Sequence, residues 1–251
     1  MSRFSLAGRK ALITGASRGI GRALATAFAE EKASVFCAGR DRASLDELVS
    51  TLRAEGHEAE VLELDVSTPA QIAEAFLRLQ EKTSSLDILV NNAGVESLCP
   101  SADVDENLWD RILDTNLKGA FFCAQQAARL MKTGGTILNL CSLTSQVGVP
   151  GAVPYGASKS GMVGITRALA TEWAPHGIRV NGIGPGYFRT QMTEIFYEDE
   201  NWAKSMLKKI PLARFGALED LTGAALFLCG PASAYITGQI LYIDGGYLAS
   251  I

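Results

Sequence analysis

Short apolar runs alternate with amphipathic stretches along almost the whole chain. KALITG (10–15), ASVFCAG (33–39), AEVLELDV (59–66), SLDILVNNAG (85–94), GTILNLCS (135–142), IRVNGIGPG (178–186) and QILYIDGG (239–246) read as strands. Several are nearly continuous in apolar residues, as expected when both faces of a sheet are covered. The intervening stretches carry helical periodicity: 20–32, 44–56, a helix from Pro69 onward, 108–132, 155–175 and 217–230. Ser44 and Glu47 form a capping-box pattern, Gly56 closes that helix, and Thr68-Pro69 starts the next.

Strands alternating with helices imply parallel pairing through right-handed crossovers. The predicted fold is α/β: a single-domain, doubly wound Rossmann-type parallel sheet with helices on both faces. Ligands of such sheets bind at the carboxyl ends of the strands. No linker, repeat or low-complexity tract interrupts the 251 residues, so one domain spanning 1–251 is expected.

Composition narrows the chemistry. A net charge of −4 gives no basic face for nucleic acid. The start MSRFSLAGRK lacks the apolar stretch of a secretory leader, and no run has the length of a membrane span, so a cytoplasmic protein is expected. Five scattered cysteines without a C-x-x-C pair read as free thiols in a reducing compartment. With only His57 and His176, far apart, neither a metal site nor a Ser-His-Asp hydrolase is expected.

The turn after the first strand, TGASRGIG (14–21), carries Gly15, Gly19 and Gly21 without the G-x-G-x-x-G spacing. Its physics is nonetheless that of a pyrophosphate cradle: a tight glycine turn leading into a helix N-terminus. Arg18 lies inside the turn. Arg40 follows the second strand, where an NAD site usually places an acid on the ribose 2′-hydroxyl; here Asp41 comes one residue later. Two cations suit a 2′-phosphate, so NADP(H) is expected over NAD(H). The plainer reading, two solvated surface charges, stays open.

Tyr155 and Lys159 are one helical turn apart in VPYGASKSGM. Free tyrosine and lysine titrate near ~10 and ~10.4, so neither is a ready proton carrier at neutral pH. An adjacent ammonium is expected to lower the phenol pKa and make Tyr155 a general acid or base. Ser142, at the end of the fifth strand, is placed to orient a carbonyl or alcohol oxygen beside it.

With these pieces together, the chain resembles the short-chain dehydrogenase/reductase family in its single-domain form. The resemblance runs from about Lys10 to Gly246. It is carried by TGASRGIG, LDV (64–66), NNAG (91–94), Asn116, Ser142, YGASK (155–159), NGIGPG (181–186) with Thr190, and DGG (244–246). It implies Tyr155 as the proton donor or acceptor and Lys159 as its partner and a holder of the nicotinamide ribose. Ser142 would position the substrate oxygen, and Asn116 would hold a water in a proton relay. It implies cofactor contacts from Thr14, Gly15, Ser17, Arg18, Gly19, Ile20, Gly21 and Arg40, from Asp65 and Val66 at the adenine, from Asn92, Ala93 and Gly94 along the middle, and from Pro185, Gly186 and Thr190 at the nicotinamide. A homotetramer is likewise implied. Two departures stand out: Cys141 where many relatives carry a second serine, and Gly184 where alanine or serine is common.

Residues 187–216 are expected to close over the substrate, mixing Tyr187, Phe188, Phe196, Tyr197 and Trp202 with charges of both signs. PGYFRTQMT followed by PLARFG resembles gluconate 5-dehydrogenase-type members, and less closely 3-oxoacyl-acyl carrier protein reductases. The leading expectation is an NADP(H)-dependent oxidoreductase of a polar small molecule, a sugar acid or polyol. Reduction of a 3-oxoacyl thioester and a catalytically idle NADP-binding sensor or scaffold are the alternatives.

Overall fold

The computed structural model describes residues 3–189 and 197–251. Seven strands form one parallel sheet: β1 (Lys10–Thr14), β2 (Ser34–Gly39), β3 (Ala59–Glu63), β4 (Ile88–Asn91), β5 (Gly135–Leu140), β6 (Ile178–Pro185) and β7 (Ile240–Ile243). Their order is β3-β2-β1-β4-β5-β6-β7. The chain therefore starts in the middle, builds outward to β3, then crosses back to β4. The crevice of a doubly wound sheet lies at that reversal, between β1 and β4.

The helices are α1 (Gly19–Glu30), α2 (Arg42–Ala54), α3 (Pro69–Lys82), α4 (Glu106–Leu113), α5 (Gly119–Leu130), α6 (Val153–Trp173), α7 (Glu200–Lys209) and α8 (Leu218–Cys229). Period-2 alternation sorts the strand side chains into two cores. Ala11, Ile13, Val35 and Cys37 pack with Leu24, Phe28, Leu48 and Leu228 of α1, α2 and α8. Leu12, Phe36 and Leu89 pack with Phe76, Cys123, Ala127 and Leu169 of α3, α5 and α6 on the other face. The five cysteines are free thiols, and burial pushes Cys37, Cys123 and Cys229 up to about 12. Among the described residues no helix is long and apolar enough to cross a membrane.

Three local expectations need correction. Helix α2 begins at Arg42, not Ser44, because Asp41 accepts the Ser44 N–H at 3.2 Å and caps one turn earlier; Glu47 pairs instead with Arg22 at 2.8 Å. Thr68 precedes α3 without capping it through its side chain, although Pro69 does open the helix. The long helix expected over 108–132 is broken by a π-turn at Asp114–Lys118. Wide turns of this kind insert one extra residue and recur near functional sites. Here the turn carries Asn116, and Gly119 follows it because a Cβ there would overlap the Val66 carbonyl.

Candidate active site

The carboxyl ends of β1 to β6 open into one cleft of about 820 Å³. At one end lies the glycine turn. Gly15 and Gly19 have φ of +67° and +54°, conformations that favour glycine. A Cβ on Gly21 would lie 2.8 Å from the Gly15 carbonyl carbon and nearer still to its oxygen, so only glycine lets α1 start this close to the turn. Asn92 staples that turn to β4, its Nδ2 donating to Thr14 O at 2.9 Å and Gly15 O at 3.1 Å. Thr14 Oγ1 returns the link by accepting from Asn92 N and Ala93 N at 3.0 and 3.1 Å. The N-cap of α1 is Arg18, whose side chain makes no cap bond. The first-turn N–H groups of α1 thus point into the cleft without a side-chain acceptor, the condition for binding an anion.

At the tip of β2, the Asp41 carboxylate is turned onto its own helix, with Ser44 Oγ donating to it at 2.7 Å. Those Ser44 hydrogen bonds hold its carboxyl below the usual range, with Arg18 contributing. Asp41 is therefore committed to capping, and Arg40 stands beside it at the rim, 3.8 Å from Asp65 Oδ2. The other Asp65 oxygen accepts from Ser67 N and Oγ at 2.9 and 2.8 Å.

At the opposite end Ser142, Tyr155 and Lys159 share the wall. Lys159 is buried, donates to Leu140 O at 2.7 Å, and lies 5.5 Å from the centre of the Tyr155 ring. Burial lowers its pKa, with Cys141 and Glu96 opposing. The phenol differs from the sequence expectation. Burial pushes Tyr155 above its ordinary value and Glu96 adds to the rise, while the facing Ser142 hydroxyl works the other way. Desolvation of a phenolate outweighs the ammonium one turn away. Tyr155 is accordingly a protonated phenol at neutral pH.

Asn116 lies behind this wall, not in it. Its Oδ1 accepts from Val95 N at 2.8 Å, and its Nδ2 donates to Val95 O at 2.9 Å and Ser158 Oγ at 3.2 Å. Both amide hydrogens are used, so the side chain fixes the 92–96 loop against α6. Below it, Asn91 and Asn139 link β4 to β5 at 3.0 Å, and Asn139 donates to Thr166 of α6 at 2.9 Å.

Every other predicted site residue lines the cleft, from Thr14, Ser17 and Ile20 to Val66, Gly94, Pro185 and Gly186, apart from Thr190, which lies outside the described residues. Residues 15–248 match the family described as enoyl-(acyl carrier protein) reductase, a short-chain dehydrogenase type. The chain belongs to the short-chain dehydrogenase/reductase family. Gluconate 5-dehydrogenase of Gluconobacter oxydans (strain 621H) is 40% identical over 250 residues, covering 99% of this chain and 98% of that protein. A crystal structure from Sinorhizobium meliloti 1021, provisionally described as a short-chain alcohol dehydrogenase, is 57% identical and superposes with a TM-score of 0.96 over 100% of both chains. A gluconate 5-dehydrogenase from Burkholderia cenocepacia J2315, crystallised with NADP and tartrate, is 36% identical with a TM-score of 0.96, covering 99% of this chain and 98% of that one.

Within this family frame, both departures acquire a structural reading. Cys141 is buried, its thiol pushed up to about 11 by burial, and its Sγ would lie 3.0 Å from a Cβ on Gly182. Gly184 is opposite Tyr242 across β6 and β7, and the tyrosine ring fills the space a side chain would take. The Tyr242 hydroxyl accepts from Gln146 Nε2 at 2.8 Å and lies 2.9 Å from Ser145 Oγ. Ser145 spends its own hydrogen on Ser142 O at 2.6 Å, so Tyr242 is the donor to Ser145. This chain of hydrogen bonds, Gln146 to Tyr242 to Ser145 to Ser142, holds the turn that carries Ser142.

Sequence reasoning missed Tyr242, which lies outside any motif, and Glu96, two residues beyond NNAG on the cleft wall. The aromatics of 187–216 were visible in the sequence. Tyr187, Tyr197 and Trp202 make edge contacts at 5.5 and 5.8 Å, and all three line the cleft with Phe188. Phe196 is outside the described residues.

Proposed function

We propose that this protein is an NADP(H)-dependent oxidoreductase acting on a carbonyl or secondary alcohol of a sugar acid or polyol, in the manner of gluconate 5-dehydrogenase. The observation that carries the reading is the convergence of Ser142, Tyr155 and Lys159 on one cleft with the glycine turn and Arg40. The residues present fit a dinucleotide. The bare N–H groups of α1 take the pyrophosphate, and Asp65 and Val66 border the adenine. Arg40 takes the 2′-phosphate, while Asp41 is occupied as a cap. The nicotinamide supplies or accepts the hydride. Lys159 has two ammonium hydrogens left after Leu140, enough for the adjacent ribose hydroxyls.

In the reductive direction Ser142 donates to the substrate oxygen and Tyr155 delivers its proton to that oxygen as the carbon receives the hydride. In oxidation Tyr155 takes the proton back, and Lys159 supplies the positive charge that offsets the forming phenolate. Asn116 acts through the loop it holds. The segment 187–216 closes over the substrate, its aromatic faces packing on the C–H faces of a polyol. A cytoplasmic homotetramer is part of the same proposal; exposed Leu241 on edge strand β7 and Ile251 at the C-terminus are surface for it.

The test follows reduced-nicotinamide absorbance with NADPH and NADH against keto sugar acids, ketoses and a 3-oxoacyl thioester. NADPH-dependent reduction of a keto sugar acid supports the reading. Turnover of the thioester alone refutes it in favour of acyl chemistry. NADPH binding without any turnover favours an idle scaffold.

A further inference from the structure

Among the described residues that line the cleft, Glu96 is the acid that acts on both Tyr155 and Lys159. It lines the same cleft as Ser142, Tyr155 and Lys159. The backbone that presents it is fixed, since Asn116 pins both polar groups of Val95. Gly94 is equally confined: a Cβ there would meet Asn116 Oδ1 at 3.3 Å. Glu96 is half-buried, yet its carboxylate has no hydrogen-bond or ion-pair partner among the described residues. A carboxylate so placed is under-solvated and is stabilised by any hydroxyl that donates to it. Burial raises its pKa while the charge of Lys159 lowers it.

The remaining charges of the cleft lining are distributed unevenly. Arg18, Arg40, Asp41 and Asp65 stand at the glycine-turn end, and only Glu96 and Lys159 stand at the other among the described lining residues. Lys159 is held by Leu140 and, on the proposed function, by ribose. A substrate carboxylate beside the reacting carbon would therefore face Glu96 with no cation of its own. A hydroxyl in the same place would face an acceptor.

Resting on the proposed function, we infer that Glu96 is the specificity-determining residue of the substrate pocket: it accepts hydrogen bonds from hydroxyls next to the reacting carbon and repels a carboxylate there. The substrate is then a polyhydroxy acid that reacts at a carbon remote from its carboxyl group. Its carboxyl end then lies away from Glu96.

The experiment compares 5-keto-D-gluconate, whose carbonyl is remote from the carboxylate, with 2-keto-D-gluconate, whose carbonyl adjoins it. Both are reduced with saturating NADPH by wild type, Glu96→Gln and Glu96→Ala. Wild type is expected to prefer the remote ketone. Each variant is expected to narrow the ratio of kcat/KM values by about tenfold or more, the worth of one charge-assisted hydrogen bond. NADPH binding, read by fluorescence, should be unchanged in both variants, which shows the cleft intact. A ratio that stays within twofold of wild type in both variants overturns the inference and leaves the proposed function standing. Loss of NADPH binding in both also overturns it, because Glu96 would then serve the cofactor site. Failure of wild type to reduce any keto sugar acid removes the proposed function itself and this inference with it.

Discussion

Adding one methyl group at Gly184 tests the packing that holds the turn carrying Ser142. A Cβ on Gly184 would lie 2.5 Å from Tyr242 Cε1, closer still to Cδ1, and 3.3 Å from Cγ. The ring cannot simply swing aside, because its hydroxyl is engaged by Ser145 and Gln146 at 2.9 and 2.8 Å. Either β6 and β7 separate or the hydroxyl gives up its partners. Overpacking of this kind costs about 1–3 kcal/mol. For a protein of this length that is a fall in Tm of roughly 2–12 °C. Loss of the Tyr242–Ser145–Ser142 chain should also lower kcat, because Ser142 is held through Ser145. Calorimetry and steady-state kinetics on Gly184→Ala, Tyr242→Phe and Gly184→Ala with Tyr242→Ala separate the two effects. Tyr242→Phe should lower kcat with a smaller loss of Tm. The double variant should recover part of the Tm lost by Gly184→Ala but none of the kcat. A Gly184→Ala protein with wild-type Tm and wild-type kcat would show that the Tyr242 ring does not need the space at Gly184.

Arg40→Ala should raise the KM for NADPH about tenfold, the low end for a charge-assisted hydrogen bond at an exposed site, and leave the KM for NADH unchanged; equal effects on both cofactors would count against a 2′-phosphate contact. Asp220 offers a pH test away from the cleft. Arg214 donates to it at 2.6 and 2.9 Å and Ala217 N donates at 2.9 Å, which together hold its carboxyl at about 2. A depressed folded-state pKa contributes stability above the ordinary carboxylate value that is lost as the pH falls toward the folded one. Asp220→Asn should therefore lower Tm at neutral pH, and the difference from wild type should shrink as the pH drops from 3.8 toward 2. A difference independent of pH over that range would show that the ion pair is not its source.

The sheet was legible because its strands are apolar on both faces and its glycine turn follows the first of them. The order β3-β2-β1-β4 was not, because right-handed crossovers prune the possible topologies without selecting one. Helix ends were less legible. Asp41 and Ser44 are both good capping residues, and only the exit direction of β2 decides between them. The π-turn at Asp114–Lys118 leaves the apolar periodicity almost intact, so the residues around Asn116 read as uninterrupted helix. The site's residues were legible from their spacing, but their electrostatics were not. The Tyr155 pKa depends on how deeply the phenol is buried and on Glu96, which reaches it from another loop. The Gly184–Tyr242 pair shows the same limit: an unusual glycine is visible in the chain, while the ring it accommodates comes from a strand 58 residues later.

On the proposed function, Tyr155 transfers the proton that accompanies hydride transfer. The direct measurement is NADPH oxidation by wild type and Tyr155→Phe with 5-keto-D-gluconate, alongside NADPH binding by both proteins. The account predicts a rate lower by about 10²–10⁴-fold in the variant, the usual worth of a positioned acid or base, with NADPH binding retained. A variant that binds NADPH and keeps most of the wild-type rate would contradict it.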